Sequence, residues 1–196
     1  MFAKISEDIF NELQVDAGVL LKTFDPANPA EPDDDDIITA TTGGITVNCT
    51  PTYSDYFADI DNAPNNTKEG KHLDGWDCSI ATTALGTTPE AIKLSLGAAD
   101  IDGTTKIVPR AKVKDSDFSD LWWVGDKADG GMVAVKVKNA LSTGGFSLKT
   151  TKNGKGNLTL TITGHTSVQT QDEVPMEFYS TEGASGGTTG GTTGGA

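Results

Sequence analysis

Residues 157–164 read NLTLTITG. Leu158, Leu160 and Ile162 share one side of an extended chain, and Thr159, Thr161 and Thr163 share the other. Strict alternation marks a half-buried β-strand, because successive side chains point to opposite faces of a sheet. The apolar face demands a second layer. The threonine face is polar and β-branched, which suits a strand without suiting a core. It is expected to look at solvent, a lumen or a neighbouring subunit. The remainder of the chain has to supply the covering layer.

Working outward, Asn153-Gly154 turns the chain into this strand from residues 146–150. Thr143-Gly144-Gly145 separates those from residues 132–138, MVAVKVK, which follow Gly130-Gly131. Residues 121–124, LWWV, form a short strand whose adjacent tryptophans point to opposite faces, so one ring is expected to face outward or into a partner. In residues 76–85, WDCSIATTAL, the side chains of Trp76, Cys78 and Ile80 are in phase. Residues 37–42 and 45–50 flank Gly43-Gly44, a two-residue hairpin signal. Residues 17–24, AGVLLKTF, read as the first strand. In residues 174–179, VPMEFY, Pro175 lacks a backbone donor, which predicts an edge strand or an arm.

One helix is expected. Thr88 suits the N-cap, Pro89 the first helical position and Glu90 the dipole. Ile92, Leu94 and Leu96 give an apolar side, and Gly97 is the stop. The predicted fold is mainly β, with two packed antiparallel sheets in a sandwich or barrel and one flanking helix. The β domain is placed at residues 1–180, starting with a loosely amphipathic arm or short helix through Phe2, Ile5, Ile9, Phe10 and Leu13. Residues 25–36, DPANPAEPDDDD, read as an exposed loop, because prolines remove donors and like charges repel. Residues 181–196, rich in Gly and Thr, cannot bury enough apolar surface to order and read as a flexible tail.

Residues 52–74 are polar yet carry Tyr53, Tyr56 and Phe57, with Asp59 and Asp61 close by. Such a stretch is long for a plain connection and too aromatic for plain disorder. It reads as a long loop or hairpin extension that orders against a partner. The candidate subunit-contact residues are Tyr53, Tyr56, Phe57, Asp59, Asp61, Trp122, Trp123, Phe178 and Tyr179.

The net charge is −13 and unevenly spread. Acids crowd residues 1–40, with the run Asp33, Asp34, Asp35 and Asp36, whereas residues 101–155 carry an excess of bases. That division suits either a solvated acidic loop or head-to-tail contact between copies. Phosphate contacts require Lys and Arg, so the balance disfavours a nucleic-acid binder and suits a wall to which DNA must not adhere. No apolar run approaches the ~18 residues of a membrane span. The opening MFAKISEDIFNELQ is acidic and lacks an apolar core, so no signal peptide is expected and synthesis is placed in a cytoplasm. Cys49 and Cys78 read as two small buried hydrophobes in a reducing compartment, with a disulfide as the alternative. His72 and His165 lack the partners of a catalytic site, and zinc spacing is missing. The aspartate run lacks the spaced ligands of an EF-hand. No enzyme activity, cofactor or metal is expected.

The segments ATTGGITVNCTPTYSDYFADIDNAPNNTKEGKHLDGW, DLWWVGD, VAVKVKNALSTGGFSLKT, GNLTLTITGH and VPMEFY occur in this order. Together they resemble the major tail proteins, or tail tube proteins, of long-tailed phages and prophages of Gram-positive bacteria with non-contractile tails. The resemblance covers about residues 1–180 and lies in the order of elements more than in any single motif. It implies hexameric rings, stacked into a tube that conducts double-stranded DNA without binding it specifically. It implies further contacts with the tape measure, tail terminator and distal tail proteins, no membrane, and a place in the virion tail after synthesis in the host bacterial cytoplasm. Residues 52–74 would then reach the adjacent ring and the helix would lie outside. The competing reading is a β-sandwich decoration or binding module on a virion or cell surface.

Overall fold

Residue 5 and residues 9–183 are described by the computed structural model. Of the tail expected at residues 181–196, residues 184–196 lie outside the described residues, as do residues 1–4 and 6–8 of the N-terminal arm. In chain order the elements are β1 (Val19–Leu21), β2 (Thr41–Asp55), β3 (Lys71–Ala84), α1 (Pro89–Leu96), β4 (Ala99–Asp102) and β5 (Lys106–Pro109). They continue with β6 (Ser119–Asp126), β7 (Met132–Ser142), β8 (Ser147–Lys149), β9 (Asn157–Thr163) and β10 (Met176–Ser180). Among the described residues the protein is mainly β with one α-helix, as the alternating pattern predicts.

Eight strands form one antiparallel sheet in the order β1-β6-β7-β9-β3-β2, with β10 on β7 and β8 on β9. The sheet folds over at β7. Met132–Val137 pair with β6 and β10, whereas Leu141 and Ser142 pair with β9. Asn139, between them, has φ +44°. Asparagine tolerates this left-handed conformation because its short side chain finds local partners. Here its side-chain amide donates to the His165 carbonyl at 3.0 Å, and its backbone N–H donates to Asp120 Oδ1 at 3.2 Å. The bend lets two halves of one sheet face each other, so strand switching makes the corner of the sandwich.

The core lies between the halves. Leu20, Leu121, Val135, Val137 and Met176 from one half meet Cys78, Ile80 and Ile162 from the other. Strand β9 shows how its apolar face is covered. Ile162 packs on the opposite half-sheet, whereas Leu158 and Leu160 pack with Ala84 under Ala91 of α1. The helix thus closes the part of the sandwich that the second half-sheet does not reach. Its local signals are as expected: Thr88 Oγ1 accepts from the Ala91 N–H at 3.2 Å, and Gly97 ends it at φ +70°. A Cβ on Gly97 would also stand 2.8 Å from the Ser142 carbonyl. Thr88→Ala is expected to cost about 1 kcal/mol of stability, read from urea or thermal unfolding.

Several expectations are corrected. Gly43-Gly44 is no hairpin turn; residues on both sides belong to the single strand β2. The register steps from Thr42↔Thr83 to Ile45↔Thr82, so both glycines are extra residues in a bulge. Their φ values of +78° and +85° allow it, and Thr82 Oγ1 fastens it by donating to the Gly44 carbonyl at 2.9 Å. The real turn of this hairpin lies at residues 56–70, since β2 and β3 run well into residues 52–74, which take the hairpin-extension form of the two forms expected for them. The threonine face of β9 is not left wholly open. Thr159 is exposed, but Thr163 Oγ1 hydrogen-bonds Thr143 Oγ1 at 2.8 Å, and the Thr143 N–H donates to the Thr161 carbonyl at 3.0 Å. The small sheet β4-β5 has no counterpart in the expected elements, although Asp102-Gly103 at its turn is a hairpin signal.

Candidate interaction surface

The hairpin β2–β3 changes character along its length. Near its base, Val47 and Cys49 of β2 and Cys78 and Ile80 of β3 belong to the core or pack on it. On its second edge β3 pairs with β9 only from Ser79 to Ala84. Beyond that point, among the described residues, β2 and β3 pair with each other alone. The core-facing side continues outward as Pro51 opposite Trp76 and Tyr53 opposite Leu73, with a register shift between Thr52 and Tyr53. Tyr53 is 58% exposed, and Leu73 and Trp76 are exposed as well. The apolar stripe therefore outruns the layer that covers it. A two-stranded ribbon of this kind is marginal in water and gains stability from a third surface.

The tip is locally ordered. Lys71 Nζ lies 3.2 Å from Asp55 Oδ2, and Asp55 Oδ1 accepts from the Phe57 N–H at 3.1 Å. The Phe57 bond, then Lys71, holds the Asp55 carboxyl below its ordinary value. Tyr56, 66% exposed, stacks on His72 with centroids 5.3 Å apart. Phe57 is half-buried against Gly70, where a Cβ would stand 2.8 Å from its ring. Asp59 and Asp61 are exposed, as is Ile60. Of the residues expected to make contacts, Tyr53, Tyr56, Asp59 and Asp61 sit together on this arm, whereas Phe57 belongs to its internal packing.

The tryptophans are placed differently. Both faces of β6 are covered, so neither ring is left outward. Trp122 is 7% exposed and packs with Leu21 and Ala134, with Phe24 edge-on at 5.6 Å and Tyr179 at 5.5 Å. Phe24 and Ile37, which flank the segment 25–36 read as an exposed loop, cover it. Trp123 is half-buried against the main core, and its Nε1–H donates to the Ala17 carbonyl at 3.0 Å. On β10, Phe178 is 60% exposed beside a strand edge that is unpaired among the described residues. Tyr179 is half-buried, and its hydroxyl donates to Glu177 Oε2 at 2.6 Å. The surface that the structure brings together is thus the arm, with Phe178 separate from it. Leu73 and Trp76 were missed because in-phase spacing with Cys78 and Ile80 is the same for a covered and an uncovered strand.

The charged residues differ in how far they are engaged. Asp33, Asp34 and Asp35 are exposed. Lys149, Lys152 and Lys155, on and after β8, are exposed and form no ion pair among the described residues. Other cations are engaged: Lys136 with Asp120 at 2.8 Å, Lys138 with Glu177 at 2.6 Å and Glu173 at 3.1 Å, and Arg110 with Asp117. Lys138, then the Tyr179 hydroxyl, holds Glu177 below its ordinary carboxyl value. Glu177, then Glu173, holds Lys138 above its own. A depressed Glu177 contributes stability above its unfolded value of about 4.3, lost as pH falls through the lower folded value. A raised Lys138 contributes fully below about 10.4, and that is lost as pH rises through its folded value. Glu177→Gln is accordingly expected to melt lower than the parent near neutrality, and the gap should narrow as pH falls from about 6 to about 3. Circular dichroism melts across that range check it.

A groove of about 440 Å³ between α1 and β6–β7 is lined by Lys22, Glu90, Leu94, Asp120 and Leu141 among others. Lys22 and Glu90 already pair there at 2.9 Å. Among the described residues no group of three His, Cys, Asp or Glu is placed to hold a metal ion, and no helix is long and apolar enough to cross a membrane. No protein-family model matches the chain, and no curated protein matches it.

Proposed function

We propose that this chain is a structural subunit that polymerises into the tube of a phage tail. The observation that carries the reading is the β2–β3 arm: a strand pair that leaves the body with Tyr53, Leu73 and Trp76 exposed. Copies of the chain complete that surface. Contact between an arm and a different face of the next copy is heterologous, so it builds a closed ring or an open stack according to its rotation. The edges of β2 and β10 that are unpaired among the described residues supply backbone groups for the same purpose. The lysines of residues 149–155 face acidic residues of a neighbouring copy, which orients the encounter. Rings of six, and tape measure, terminator and distal tail partners, follow from the likeness to tail tube proteins. A net charge of −13 keeps a passing duplex from sticking to the wall.

Negative-stain electron microscopy of the purified chain tests the reading. Rings or tubes with an open centre are expected, with growth that weakens as salt screens the charge contacts. Compact single particles at every concentration and ionic strength overturn it in favour of a decoration or binding module.

A further inference from the structure

Cys49 of β2 and Cys78 of β3 stand directly opposite each other in antiparallel register. Both thiols are free, and their Sγ atoms lie 2.8 Å apart. Opposed residues in an antiparallel pair have Cα atoms about 4.5–5.5 Å apart, inside the span that a disulfide bridges without moving the backbone. The position matters as much as the distance. Cys78 is buried, next to the last residue that β3 pairs with β9, and Cys49 is half-buried. The following pairs, Thr50↔Asp77 and Pro51↔Trp76, already belong to the arm.

We propose that Cys49 and Cys78 form a site of reversible oxidation, whose intrachain disulfide staples the root of the arm to the body. The oxidant is a low-molecular-weight disulfide. Cys49, the more exposed sulfur, attacks as the thiolate; the oxidant's S–S bond breaks, one small thiol leaves, and a mixed disulfide forms at Cys49. Cys78 then releases its proton to solvent and its thiolate attacks Cys49 Sγ. The mixed disulfide breaks, and the second small thiolate departs and takes up a proton. The protein loses two electrons and two hydrogens, and the oxidant gains them as two thiols. Burial first, and the Cys49 thiol second, push the Cys78 thiol up to about 12. The burial of Cys78 persists in the mixed disulfide, so closure is the slower step, and it accelerates as pH rises. Once closed, the bond holds the two strands in register where the covering half-sheet ends. The inference rests on the two strands alone and is independent of any assembly.

The test is incubation of the full chain with oxidised glutathione at pH 8, followed by thiol titration in denaturant and intact mass. The expected product is monomeric on a non-reducing gel, has no free thiol, and is lighter than the reduced chain by two hydrogen atoms. Trypsin cleavage after Lys68 or Lys71 then yields two pieces that separate only on reduction. Cys78→Ser is expected to stop at a mixed disulfide on Cys49, and Cys49→Ser to stay unmodified. A wild-type chain that keeps both thiols, carries a stable glutathione adduct, or links only between chains overturns the proposal, whatever the variants do.

Discussion

Replacement of residues 52–74 by a short Gly-Ser turn is expected to leave a folded body that no longer assembles. The reason lies in where the core ends. Val47, Cys49, Cys78 and Ile80 are the last residues of this hairpin to meet the opposite half-sheet. Everything replaced pairs only within the arm: Tyr53 with Leu73, Asp55 with Lys71, and Tyr56 against His72. The thermal midpoint of the body should move by no more than about 2–4 °C, equivalent to about 1 kcal/mol in a domain of this size. Loss of rings and tubes in micrographs should be complete. Tubes grown by the shortened chain would remove the arm from the assembly contact, and a chain that failed to fold would place it in the core.

Trp122→Ala is expected to do the opposite. It should destabilise the isolated subunit by about 3–5 kcal/mol, because the indole fills space that its neighbours cannot close. Phe24 and Tyr179 each lose an aromatic partner, and Lys136 loses the ring under its ammonium at 5.6 Å. The thermal midpoint should drop by about 10 °C or more. A subunit contact at Trp122 would instead leave the melting of the monomer intact and weaken assembly alone. The pair of variants therefore separates the surface that folds the chain from the surface proposed to join chains.

Period-two alternation and helix caps made much of the architecture legible. Leu158, Leu160 and Ile162 are buried as their spacing requires, and Thr88, Pro89 and Gly97 bound the helix where expected. The misses share a cause: local signals do not say what lies opposite. Gly43-Gly44 has the composition of a turn, yet two glycines at positive φ serve a bulge equally well, and only the position of β3 decides between them. Adjacent Trp122 and Trp123 imply an outward ring only if one face of β6 is bare. The acidic, proline-rich segment that follows β1 carries Phe24 and Ile37 at its ends and covers that face. Trp76 continues the phase of Cys78 and Ile80, but phase does not report where the covering layer stops. The arm was anticipated from the aromatic content of residues 52–74; its being a continuation of two strands depends on long-range pairing.

Strand β7 belongs to both halves of the sandwich, with Asn139 as the pivot between its two sets of partners. Neither half can peel away without taking hydrogen bonds from the other. Force applied along the arm passes through β3 and β9 into that shared strand, and from there to β6 and β10. A pull at the periphery is therefore expected to load both halves together, through the two β7–β9 pairs Leu141↔Thr163 and Ser142↔Ile162.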